Sequence, residues 1–112
     1  MDRDWLVDAF EKHDSLLVEC VRGALSVRAF LAANDCFYHR GALDGHEGGQ
    51  SVLDEFASRI EVYRQVWEQV ESRITSEEYA SEPRYRAMGF IGEQEALKRL
   101  RAIAEEGGLL GA

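Results

Sequence analysis

The stretch LDEFASRIEVYRQVWEQVESRI, residues 53–74, decides how the chain is read. Its apolar residues Leu53, Phe56, Ile60, Tyr63, Trp67, Val70 and Ile74 recur at intervals of 3, 4, 3, 4, 3 and 4. That spacing puts them on one side of a helix as an a/d seam three heptads long. Ser51 stands just ahead and can accept from the first-turn amides, while Asp54 and Glu55 complement the positive end of the helix dipole. The helix therefore has a marked start. Its far end is unmarked, because Thr75, Ser76, Glu77 and Glu78 suit helix or loop, and Pro83 biases Glu82 away from helical angles.

Working outward, the same periodicity covers most of the chain. About Asp2 to Arg22 reads as a first helix, with Leu6, Ala9, Phe10, His13, Leu16, Leu17 and Cys20 on one stripe and Gly23 at the C-cap. Ser26 caps a second helix through Val27, Phe30, Leu31, Asn34, Phe37 and Tyr38, ending before Gly41. The run DGHEGGQ, Asp44 to Gln50, has three glycines and no apolar residue, and reads as an exposed loop and a hinge candidate. A last helix spans about Gly92 to Glu106, with Ala96, Leu97, Leu100, Ile103 and Ala104 apolar and Gly107-Gly108 ending it. Four amphipathic helices bury their stripes only against one another, so the expected fold is all-α: a single-domain, antiparallel four-helix bundle over residues 1–112. The stretch 75–91 leaves room for a short extra helix between the third and fourth.

Composition supports one folded domain. At 112 residues, with 46% hydrophobic and 30% charged positions, the chain is neither disordered nor large enough for two domains. A domain of this length hides roughly 65% of its unfolded surface, so no staple is required. Cys20 and Cys36 are read as thiols in a reducing compartment. Charged residues are mixed into the first twenty, and no apolar run is long enough to span a bilayer or to make a signal h-region, so a cytoplasmic chain is expected.

Residue patterns for enzymatic chemistry are few. Nucleophile-elbow, P-loop and dinucleotide glycine patterns are absent. Cys36-x2-His39 with His46-Glu47 offers soft, imidazole and carboxylate ligands, but the spacing lacks a second arm, and a cysteine on the apolar side of the second helix with an exposed loop histidine explains the same residues. His13 lies on an apolar stripe and reads as a hydrogen-bonded residue at the core edge. The carboxylate pairs Asp54-Glu55, Glu77-Glu78 and Glu105-Glu106 are adjacent residues, which a helix points about 100° apart. Such pairs do not face each other across a substrate. No enzyme, cofactor or metal is expected.

Charge is the informative property. The formal net charge is −8, and residues 44–82 hold ten acids against three arginines, a net of −7. Asp54, Glu61 and Glu68 recur every seven residues beside the seam, about 10 Å apart along the helix. They form an acidic ridge. Such a ridge serves solubility, or it docks a cationic partner and speeds the encounter. Direct binding of nucleic acid or an anionic membrane needs clustered Lys and Arg and is not expected. The candidate docking face comprises Asp44, Glu47, Asp54, Glu55, Glu61, Glu68, Glu71, Glu77 and Glu78, with Tyr79 and Tyr85 as aromatic anchors beside it.

Three segments within residues 16–104 carry a resemblance to a known family. Arg22-Gly23-Ala24-Leu25-Ser26-Val27 with Phe30 resembles a glycine-marked turn into a second helix; Val52-Leu53-Asp54-Glu55-Phe56 leading to Tyr63 resembles a third helix; Gly89-Phe90-Ile91-Gly92-Glu93 followed by Leu97 resembles the entry into a last helix. In these the chain resembles the small all-helical immunity proteins of the colicin D immunity type. The resemblance implies a stoichiometric inhibitor whose acidic face occupies the cleft of a basic toxin domain of nuclease type. Such a chain is expected to be a monomer or weak dimer when free. An alternative reading uses the Leu53 to Ile74 seam for self-association, as a helical oligomerisation or adaptor module.

Overall fold

The computed structural model describes residues 3–40 and 50–110, and among them the fold is all-helical, with a single isolated β-bridge and no strand. Helix α1 runs Arg3–Val21 and buries Leu6, Phe10, His13, Leu17 and Cys20, a stripe spaced 4, 3, 4 and 3 as the sequence predicts. It closes in a Schellman motif: Ala24 N–H donates to the Glu19 carbonyl at 2.8 Å and Gly23 N–H to that of Cys20 at 3.1 Å. Gly23 there takes φ +86°, which explains why a glycine ends this helix.

Two expected helices are interrupted. Helix α2, Val27–Asn34, begins as predicted at Ser26, whose hydroxyl accepts from Ala29 N–H at 3.0 Å. It stops at Asp35 and Cys36, both left-handed with φ 43° and 54°, and the chain resumes as α3, Phe37–Arg40. The break lets Phe30 and Asn34 face inward from one axis and Phe37 from another. A straight helix would carry Phe37 only three residues round from Asn34.

The seam segment is likewise divided, into α4 (Gln50–Glu55), α5 (Ala57–Val66) and a π-helical turn over Trp67–Glu71, where Ser72 N–H reaches back five residues to the Trp67 carbonyl at 3.0 Å. Phe56, at φ −106° and ψ 18°, separates the first two. The buried set here is Leu53, Val62, Tyr63, Val66 and Val70, whereas Phe56, Ile60, Trp67 and Ile74 are only partly covered. The 3.5-residue period found the inward side of this segment but not its full width. A helix packed against several neighbours needs an apolar arc broader than a coiled-coil seam, and Val62 and Val66 supply it. The wide π turn then shifts the register, leaving Trp67 edge-on to His39 at 4.7 Å while Val70 is fully covered.

Residues 75–91 leave the core and return. Thr75 N–H donates to the Ile91 carbonyl at 2.8 Å and Ile91 N–H to that of Arg73 at 3.0 Å, which pins both ends together. Between them lie two short helices rather than one: α6 (Glu77–Ala80), capped by Ser76, and α7 (Pro83–Ala87), with proline in its first turn. Helix α8, Glu93–Glu106, then packs on α1, α2, α5 and the π turn through Ala96, Leu100, Ile103 and Ala104. Gly108, at φ +73°, closes it in a second Schellman motif, with Leu109 N–H on the Ala104 carbonyl at 2.9 Å.

Candidate functional site

The acids of residues 44–82 fall into separate settings. Asp44 and Glu47 lie outside the described residues. Asp54, Glu61 and Glu68 are exposed, as the ridge reading requires, but Glu61 and Glu68 are not isolated charges. Arg64 lies between them, donating from Nε to Glu61 at 2.7 Å and from Nη1 to Glu68 at 2.6 Å, and Gln65 donates to Glu61 at 2.9 Å. The guanidinium holds the Glu61 carboxyl below the usual carboxylate range. Glu55 is engaged in the same way by Arg3 of α1, through Nε at 3.0 Å and Nη2 at 2.8 Å. Glu55, Glu61 and Glu68 are thus carboxylates held by arginines, acidic in sum but partly neutralised.

Two of the expected docking acids serve the fold. Glu77 accepts the Gln94 N–H at 3.1 Å, standing at the N-terminus of α8 where a carboxylate suits the helix dipole. Its carboxylate occupies the space a side chain on Gly92 would need, with the Glu77 carboxyl atoms 2.5–2.6 Å from where a Cβ would sit. Glu71 turns inward and accepts from the Asn34 amide and, at 3.0 Å, from Cys36 N–H. Glu78 is exposed. Tyr79, 48% exposed, meets Tyr85 edge-on at 5.2 Å, and Tyr85 meets Phe90 at 6.1 Å. Arg84 covers the Tyr85 ring at 4.7 Å. The two tyrosines therefore sit together, in a patch of their own on the 75–91 excursion.

No protein-family model, curated protein or solved structure matches this chain.

Between α1 and α2, His13 is a hydrogen-bonded residue at the core edge, as its place on the apolar stripe predicts. The His13 ring stacks on Phe37 at 3.9 Å with its plane tilted by 9°, and Nδ1 is 3.1 Å from Asn34 Oδ1. The Asn34 amide nitrogen is committed to Glu71, so its oxygen faces His13 and Nδ1 must carry the proton. Glu71, Asn34 and His13 form one chain from the π turn through the end of α2 to α1. Beside it opens a groove of about 460 Å³ lined by Trp5, Asp8, Lys12, His13, Asn34 and Asp35 among others. Trp5 is 49% exposed there. The sequence signal was present in Trp5, Asp8 and Lys12, which share one outward side of α1 next to the apolar stripe.

Other sequence candidates resolve simply. Cys36 lies in the α2–α3 break and His39 within α3, while His46 lies outside the described residues. Among the described residues no three His, Cys, Asp or Glu side chains converge as a metal cluster, and no helix is long and apolar enough to cross a membrane.

His13 and Glu71 shift in opposite senses. Burial pushes His13 below its ordinary value and Glu71 above its own. A depressed imidazole contributes stability that is complete above about pH 6.5 and is lost as pH falls toward the folded value. A raised carboxyl contributes stability that is complete below about pH 4.5 and is lost as pH rises toward its folded value. With Glu71→Gln only the histidine contribution remains of the two. The melting temperature of that variant is expected to fall more steeply than the wild type's from pH 7 down to about pH 4.5, the ordinary carboxyl value. A parallel pair of melting curves would overturn this assignment.

Proposed function

We propose that this protein is a cytoplasmic immunity protein that binds a cognate basic toxin domain, of nuclease type, and occludes its active or substrate-binding cleft. We read its longer segments, α1, α2–α3, α4–α5 with the π turn, and α8, as an antiparallel four-helix bundle with interrupted members. One observation carries the functional reading: the α4–α5 segment and its π turn present Asp54, Glu55, Glu61 and Glu68 to solvent while Val62, Tyr63, Val66 and Val70 are buried. The acids are the surface of the most acidic part of the chain. Arg64 and Arg3 hold several of these carboxylates in place, so a partner's cations meet partly ordered acceptors, with less side-chain entropy left to lose. Rim pairs contribute about 1 kcal/mol or less each, and a desolvated pair about 2–5 kcal/mol. Tyr63 and Val70 of the seam are consumed in the core, which favours this reading over self-association through the seam.

The test is capture of partners from host lysate by the tagged chain at low and high salt, followed by expression of the captured polypeptide alone and with this chain. The expected result is a basic polypeptide that arrests growth or degrades nucleic acid alone and is silenced by co-expression. The Glu61→Gln/Glu68→Gln double variant is expected to bind it about tenfold or more weakly at low salt with unchanged helicity. Full affinity in that variant, or a captured set with no such polypeptide, would overturn the proposal.

A further inference from the structure

We propose that the groove between α1 and α2 receives an arginine side chain of the basic partner, its guanidinium lying on the Trp5 ring and hydrogen-bonding to Asp8. The inference rests on the reading of that partner as basic. It is carried by the groove's own chemistry. Trp5 is a large aromatic left 49% exposed at the edge of a recess of about 460 Å³. Tryptophan is the strongest ring for a cation, and the aromatic type most often found at the energetic centre of an interface.

Asp8 lies one turn along the same face of α1 and is exposed, so an arginine stacked on the ring has a carboxylate within one helical turn. Lys12, a further turn on, makes no ion pair with Asp8. His13 adds an acceptor. Its Nδ1 proton is committed to Asn34, so Nε2 carries the lone pair. His13 lines the groove with 8% of its surface exposed. An aromatic face, a carboxylate and a neutral ring nitrogen all favour a flat cation bearing several N–H donors. They disfavour an anion, as does the net charge of −8. The left-handed pair Asp35–Cys36 ends α2 at this groove, and Asn34 just before it is anchored by Glu71, so one wall is held in place by the core.

The experiment uses the full chain carrying Trp67→Phe, so that emission reports Trp5 alone. Capped Gly-Arg-Gly, Gly-Lys-Gly and Gly-Glu-Gly peptides are titrated at low and high salt. The expected result is a saturable change with the arginine peptide, weaker with lysine and absent with glutamate. Asp8→Asn is expected to weaken it about fivefold, and Glu61→Gln/Glu68→Gln to leave it unchanged. A non-saturating response, an equal response to the glutamate peptide, or no effect of Asp8→Asn would overturn the proposal. A failed titration with toxin capture intact removes the groove assignment alone. A saturable titration with no toxin captured removes the immunity reading alone.

Discussion

Phe10→Ala is expected to destabilise the protein by about 3–5 kcal/mol, a large fraction of the roughly 5–15 kcal/mol that holds an ordinary domain folded. Phe10 is 1% exposed and is the hub of an aromatic cluster, with ring centres of Phe37, Phe56 and Tyr63 at 5.8, 5.7 and 6.0 Å. These rings come from α3, the α4–α5 junction and α5, so one truncation loosens three segments against α1. The Arg59 guanidinium lies 5.2 Å from the Phe10 ring centre and is bound to Asp14, which also accepts the Tyr63 hydroxyl. Removing the ring therefore leaves a cavity and exposes one side of a partly buried ion pair. Urea denaturation of the two proteins checks this. A loss under about 1 kcal/mol would show that the cluster rearranges to fill the space.

Asn34→Ala is the second large effect, expected at about 2–3 kcal/mol although only a small polar side chain is lost. Asn34 is 3% exposed and links two groups that cannot reach water freely, the His13 Nδ1 proton and the Glu71 carboxylate. Truncation leaves the imidazole donor unpaired, and leaves Glu71 with Cys36 N–H as its remaining hydrogen bond among those the fold supplies. Asn34→Asp supplies an acceptor to His13 but sets a second carboxylate against Glu71, and is expected to be no better than alanine at neutral pH. Thermal denaturation of both variants at pH 7 checks the ordering; an aspartate variant as stable as wild type would mean that Glu71 is protonated there.

Much of the fold was legible because local rules were followed. The stripe of α1, the Ser26 cap, Gly23 and the entry into α8 at Gly92 each depend on residues within one or two helical turns. The breaks were not legible. Asp35 and Cys36 carry no glycine or proline signal, and their left-handed angles are held by Glu71, thirty-five residues away from Cys36. The π turn is equally silent, since WEQVE is a normal helical sequence that widens only where Val70 and Glu71 have partners on other elements.

The candidate surface divides along the same line. Sequence by itself determined that the chain is helical, that its acids are concentrated in residues 44–82, and that Asp54, Glu61 and Glu68 fall outside the apolar stripe, because periodicity and charge are properties of order along the chain. Tertiary structure alone decided which acids remain outward and what they hold. It turned Glu71 into the core, set Glu77 on the end of α8, tied Glu55 to Arg3, and put Trp5 and Asp8 beside a groove that α1 makes only when α2 lies against it. A carboxylate's role depends on which donors lie within about 3 Å of it, and those donors come from segments that meet only once the core has formed.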